Sequence, residues 1–264
     1  MKTQIIFIGN GPLADYAKAV LDQNFEIIFH ARTKEDLEEV KRLKTDNPDA
    51  FGILASFGVI IKSDVLDLFE PEGILNIHPS LLPKYRGSSP IETAILNGDK
   101  EFSYSIMKLV KAMDAGPIYF QETVTFDEEF PEKDLIYKTL SEKAATWISN
   151  NLTEDKVALS KLSVPQDDTK ATYTAKLDKS MSHLDENTKT AEELLNEVRA
   201  FKGFPKSKHD FYGLDCIVLS AHVSEEETPL SLLCADKKYL VIDEIQPAGR
   251  KPMNALSFLN GYAK

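Results

Sequence analysis

Cysteine is nearly absent: only Cys216 and Cys234 occur in 264 residues, far apart and each in an apolar, strand-like context. Two thiols without a CxxC spacing exclude a disulfide framework and a thiolate metal finger; both are expected to be reduced and buried. Long apolar runs are missing too. No stretch approaches the roughly 20 residues that cross a bilayer, so no membrane span is expected. The start, MKTQIIFIGNG, has one lysine and a short apolar run closing on glycine, without the longer apolar core and small-residue cleavage site of a secretory signal. It is expected to be the first strand of a cytoplasmic protein. Histidine is sparse, and His30, His183, His209 and His222 show no ligand spacing, so no metal is expected. Positive charge is in deficit as well. With 31 Lys and Arg against 42 Asp and Glu, the net charge of −11 excludes a general nucleic-acid coat protein. The acid is unevenly spread, however: from residue 171 onward 12 Lys and Arg face 14 Asp and Glu. That part is near neutral and can still carry local basic patches.

What the sequence does have is alternation. TQIIFIGNG is a β-branched apolar run ending on Gly9 and Gly11, and PLADYAKAVLDQ repeats its apolar residues with helical period. FEIIFHA then reads as a strand, KEDLEEVKRLKTDN as a polar amphipathic helix, AFGILASFGVI as a strand, KSDVLDLF as a short helix and GILNIH as a fourth strand. Strands alternating with helices predict a parallel sheet with right-handed crossovers, a Rossmann-like α/β domain. GNGPLA lacks the third glycine of a dinucleotide fingerprint, since Ala14 stands there, and is read as a tight strand-to-helix turn. PIETAILNGD is a helix with Pro90 in its first turn, FSYSIMKLV and YFQETVTF are further strands, and PEKDLIYKTLSEKAATWISNNL is a long helix. Periodicity is then lost. The expected division is a catalytic domain over 1–150, a linker over 151–172 and a C-terminal domain over 173–264. The last is expected to be a small β-barrel or sandwich carrying one helix, TAEELLNEVRAF, capped by Thr190.

Ligands of such sheets bind beyond the carboxyl ends of the strands, and GILNIH ends there with Asn76 and His78. The two residues are one apart, so an extended chain turns both side chains the same way. Pro79 keeps His78 extended and prevents a helix from starting. An amide donor beside an imidazole can stabilise an oxyanion while the imidazole handles a proton. The same pair near a turn can also be two satisfied structural groups. Asp114, in KAMDAGPI, is open to the same two readings: Asp-Ala-Gly-Pro is a turn former, and it follows a strand whose end can bring a carboxylate towards His78.

The segment NIHPSLLPKYRGSSPI, followed by AILNGD and MDAGPI, resembles the formyltransferases that use 10-formyltetrahydrofolate. The resemblance implies a catalytic role for Asn76, His78 and Asp114. ILASFGVII resembles the family's strand and loop around the folate pterin, which implies folate contacts from Ser56, Phe57, Gly58, Val59 and Ile60, joined by Ser80, Leu81, Leu82 and Pro83 of the next loop. Arg86 and Tyr85 either meet substrate or brace that loop. Further on, VPQDDTKATYTAKL, ELLNEVRAF before Pro205, and IDEIQPAGRKPM resemble the methionyl-tRNA formyltransferases, including their OB-like C-terminal domain. The expectation is therefore an α/β formyltransferase domain followed by a small OB-like β-barrel, monomeric, with initiator methionyl-tRNA as partner and 10-formyltetrahydrofolate as co-substrate. Lys202, Lys206 and Lys208, with Arg250 and Lys251, are basic spots suited to RNA phosphates.

Two departures from the family pattern stand out. The basic insertion usual after the second strand is missing, and in FHARTKEDLEEVKRLK only Arg32 and Lys34 can stand in for it. FSYS also replaces the usual TGVT before the aspartate loop. A sugar-nucleotide N-formyltransferase, or a non-catalytic folate- or RNA-binding protein, are the alternatives.

Overall fold

A computed structural model describes residues 2–128, 130–152 and 163–263 of the chain. They form two compact units: one runs up to Ile91 and resumes over Glu101–Ala175, and the other joins Glu92–Lys100 to the chain from Lys176 onward. Among the described residues no helix is long and apolar enough to cross a membrane.

The first unit is built on a six-stranded sheet. β1 (Gln4–Gly9), β2 (Glu26–Ala31), β3 (Phe51–Ala55) and β4 (Ile74–His78) are mutually parallel, β5 (Phe102–Lys108) and β6 (Ile118–Val124) add on antiparallel, and the order is β2-β1-β3-β4-β5-β6. Every residue of β3 and β4 is buried, which explains the unbroken apolar run of β3 and leaves Asn76 and His78 as the two polar residues of β4. Between them run α1 (Pro12–Asn24), α2 (Leu37–Asp46) and α3 (Ser63–Leu66), the last continued by a 3-10 turn over Asp67–Phe69. α1 starts with Pro12, whose missing N–H suits the first turn, and buries Leu13, Ala14, Ala17 and Leu21 along one stripe. α4 (Pro90–Leu96) follows β4, and α5 (Lys133–Asn151) packs against α1.

The order reverses beside β1, because the chain passes from β1 to β2 on one side and to β3 on the other. That is the switch point at which α/β sheets open a crevice. The antiparallel pairing of β6 with β5 has a local cause. Only nine residues, 109–117, connect them, too few for a helical crossover.

The C-terminal unit holds a curled antiparallel sheet, β7 (Ser207–Phe211), β8 (Leu214–Ser224), β9 (Ser231–Leu233), β10 (Tyr239–Pro247) and β11 (Met253–Asn254), ordered β11-β10-β8-β7 with β9 also on β10. α6 (Ala191–Ala200) opens with a full capping box, in which Thr190 accepts from the Glu193 N–H and Glu193 accepts from the Thr190 N–H. Leu194 and Val198 pack into a core with Val218, Leu240, Ile245 and Phe258. Cys216 and Cys234 lie in this core as free thiols, and burial pushes both up from the ordinary thiol range. A second helix, α7 (Ala255–Tyr262), adds to the one foreseen; it is short and buries only Phe258, and Asn254 caps it by accepting from the Ser257 N–H. Of the expected linker over 151–172, residues 153–162 lie outside the described residues, while 163–172 belong to the first unit, which runs on to Ala175.

Candidate active site

β4 delivers Asn76 and His78 to its carboxyl end, both about 5% exposed, while Ile74, Leu75 and Ile77 fix the strand in the core. Their cross-strand partners on β5 are Met107 and Ser105. The Asn76 carboxamide makes no hydrogen bond to a described residue, so its N–H donors are unspent. The His78 Nε2–H donates to the Tyr85 carbonyl at 3.0 Å. A carbonyl can only accept, so in the neutral ring the lone pair sits on Nδ1. That nitrogen faces Asp114 Oδ1 at 3.7 Å, just beyond hydrogen-bond length. A proton taken up on Nδ1 therefore arrives beside a carboxylate that supports the imidazolium.

Asp114 holds a left-handed backbone, φ 47°, and its Oδ2 accepts from the Gly87 N–H at 2.8 Å. Two residues on, Gly116 passes so close to β5 that a Cβ there would stand 1.8 Å from the Lys108 carbonyl oxygen. The glycine of MDAGPI is thus a condition for the loop to lie down against the sheet.

The loop after His78 is tied inward at nearly every residue. Ser80 Oγ donates to the Lys84 carbonyl at 2.6 Å, and Ser105 Oγ donates to the Ser80 carbonyl at 2.6 Å while accepting from the Leu82 N–H. Gln121 Nε2 donates to both Ser105 Oγ and the Leu82 carbonyl at 2.8 Å. From the other side, the Tyr85 N–H donates to Thr172 Oγ1, the Arg86 N–H to the Thr172 carbonyl, and the Thr174 N–H back to the Arg86 carbonyl, each at 2.8 Å.

Arg86 is 2% exposed, and its guanidinium donates to Gln166 Oε1, to Asp168 Oδ1 at 2.7 Å and to the Tyr173 hydroxyl. Burial works against its charge, but the hydrogen bonds to Asp168 and Tyr173 more than offset this and hold its pKa above the ordinary arginine value. Of the two readings of Arg86, the geometry is that of a brace.

The folate-loop residues stand at the ends of neighbouring strands, Ser56–Ile60 after β3 and Ser80–Pro83 after β4. Phe57, Ser80 and Leu82 are buried. Ser56 and Gly58 have positive φ and carry the loop outward, and Ile60 and Leu81 leave apolar side chains exposed. The Asn10 N–H donates to the Ser56 carbonyl at 3.0 Å, closing the switch point between β1 and β3. Arg32, at the end of β2, is exposed and donates from Nε to His30 Nδ1 at 3.3 Å; burial lowers the His30 pKa and Arg32 lowers it further, though less. Lys202, Lys206, Arg250 and Lys251 are exposed in the second unit.

Ser105, Gln121, Thr172 and Gln166 were not singled out from sequence, though all hold the loops of the site. Ser105 lies within FSYS, and its position opposite His78 follows once the β4–β5 register is known. Among the described residues no three His, Cys, Asp or Glu side chains cluster so as to hold a metal.

Residues 10–152 match the family described as Formyl transferase, and residues 176–263 match Formyl transferase, C-terminal domain. The methionyl-tRNA formyltransferase of Dictyoglomus thermophilum is 34% identical over 249 residues, 88% of this chain and 77% of the relative. Among solved structures, HypX from Aquifex aeolicus in complex with tetrahydrofolic acid superposes with a TM-score of 0.71 at 16% identity, over all of this chain. The chain spans about half the length of HypX, 48%. The methionyl-tRNA formyltransferase from Clostridium thermocellum superposes with a TM-score of 0.64 at 18% identity, over 94% of this chain and 99% of that one. These two likenesses are likenesses of fold.

Proposed function

This chain belongs to the formyl transferase family, and we propose that it moves a formyl group from 10-formyltetrahydrofolate to the α-amine of methionine on initiator tRNA. The observation that carries the reading is the buried set at the end of β4, with an unspent carboxamide on Asn76, an Nδ1 lone pair on His78, and Asp114 facing that lone pair. Bound at this edge, the folate supplies a formyl carbon on nitrogen. The amine adds to that carbon, a new C–N bond forms, and the C–N bond to the donor nitrogen breaks. The Asn76 amide donates to the oxygen on which negative charge builds. His78 takes the amine proton on Nδ1 and returns a proton to the departing nitrogen, and Asp114 stabilises the imidazolium between the two transfers. The exposed side chains of Ile60 and Leu81 suit a flat ring system at the adjoining strand ends.

In this reading the first unit carries the transfer and the exposed cations of the second meet the RNA. It is a monomer of the cytoplasm, where charged tRNA is found.

The test is direct. The protein is incubated with 10-formyltetrahydrofolate and either methionyl initiator tRNA or an amino-sugar nucleotide, and the formylated amine is identified. Formyl-methionine on the tRNA, with transfer reduced at least about 100-fold by His78→Ala or Asp114→Ala, is the expected result. Formyl on the amino sugar would move the acceptor to that class. Near wild-type rates in both variants would remove the mechanism.

A further inference from the structure

Gln166 lies in VPQDDTKATYTAKL, on the segment that follows the undescribed stretch, where the sequence offers no periodicity and the family resemblance assigns no role to this residue. Its carboxamide nevertheless uses all of its hydrogen-bonding capacity. Nε2 donates to the Asp114 and Gly116 carbonyls, each at 2.7 Å, and Oε1 accepts from Arg86 Nε at 3.1 Å and Nη2 at 2.7 Å. Gly87, next to Arg86, donates its N–H to Asp114 Oδ2 at 2.8 Å. Arg86, Gln166, Asp114 and Gly87 thereby close a ring that joins the loop after β4 to the loop after β5.

We infer that Gln166 is a positioning residue that sets where the Asp114 carboxylate stands relative to His78. The role rests on the formyl-transfer reading for its consequence, not for its geometry. Three observations carry it. Asp114 is a non-glycine residue at φ 47°, a backbone that persists only where its surroundings hold it, and Gln166 grips the peptide carbonyls at and just beyond it. The Asp114 Oδ1 to His78 Nδ1 separation of 3.7 Å lies at the margin of contact, so a shift of a few tenths of an ångström decides whether the pair can share a proton. The segment carrying Gln166 is itself anchored on both sides. Val164 and Ile118 exchange N–H to carbonyl bonds at 2.8 Å, and the Thr172 N–H donates to the Pro83 carbonyl at 3.1 Å. A tether fixed at both ends can hold a strained loop; a mobile one cannot.

Gln166→Glu separates the two halves of the tether. The carboxylate still accepts from Arg86, but it has no hydrogen to give to the two carbonyls and repels them. Gln166→Leu removes both halves at similar volume. Each variant is assayed as the full chain for transfer, and the amide hydrogen exchange of Gly87 is followed without any substrate. In Gln166→Glu, kcat should fall on the order of 10- to 100-fold with KM for the donor within about twofold, the pattern of lost alignment rather than lost binding. Gly87 should exchange on the order of tenfold faster while the amides of β1 to β4 keep their protection. In an Asp114→Ala background, Gln166→Glu should add no further loss, because the group it positions is already gone. Unchanged Gly87 exchange in both variants, unchanged kcat in both, losses that multiply with Asp114→Ala, or faster exchange throughout the sheet would each overturn the assignment. If the wild-type protein transfers no formyl group but Gly87 responds as described, the formyl-transfer reading falls while the tether on the Asp114 loop stands.

Discussion

At the scale of single residues the site is built from hydrogen bonds that leave few choices. The Tyr85 carbonyl dictates which His78 nitrogen carries the proton, and Gly87 and Gln166 dictate where Asp114 stands. Arg86 is the anchor of this arrangement, because one guanidinium meets Gln166, Asp168 and Tyr173 in a single plane of donors. A lysine keeps the charge and loses the fork. Arg86→Lys is therefore expected to cost about 1–3 kcal/mol of stability, since a charge that is 2% exposed is left with fewer hydrogen bonds, and the midpoint of a urea transition measures it. An unchanged midpoint would mean that the bracing network adds nothing beyond charge. The places of Asn76 and His78 at a strand end and of Asp114 in a turn could be read from local markers, an apolar run, a following proline and a nearby glycine, whereas their catalytic role came from the family resemblance. Gln166 and Ser105 could not be read in this way. Their partners lie 80 and 25 residues away in the chain, and a lone polar residue carries no sign of a partner at that distance.

Elements were legible in proportion to how local their causes are. β1 to β4 and α1, α2 and α5 follow from apolar period and from Pro and Gly at their ends, which neighbours in the sequence supply. The direction of β6 against β5 is set by the length of their connection, and α7 by one asparagine cap and one buried phenylalanine, signals too small for periodicity to register. α6 is the opposite case, because Thr190 and Glu193 mark its start unambiguously and satisfy two N–H groups that the helix leaves over. Thr190→Ala is expected to lower stability by about 1 kcal/mol, and Thr190→Ser to restore most of it, read from thermal unfolding of the full chain. Equal stability of all three would show that Glu193 alone suffices to hold the helix start.

For the molecule as a whole, charge is the property that the site does not determine. From residue 171 onward 12 basic side chains meet 14 acidic ones, so the excess of 11 negative charges falls mainly on the first 170 residues. If the amine is presented on RNA, the acidic portion repels the phosphates and the near-neutral portion must supply the contacts. Lys206, Arg250 and Lys251 are exposed there. Each phosphate contact releases a counterion, so kcat/KM for methionyl-tRNA should fall steeply with salt, and each cation removed should make the logarithmic slope shallower by about one. Lys206→Ala with Arg250→Ala and Lys251→Ala is expected to flatten the slope while leaving kcat at saturating tRNA within about twofold, because these residues bind without touching the reacting atoms. His78→Ala should do the reverse, lowering kcat and leaving the slope intact. A slope unchanged by the triple substitution would put the RNA contact elsewhere on the chain. A slope near zero in the wild type would point to an acceptor that carries far less charge than a tRNA.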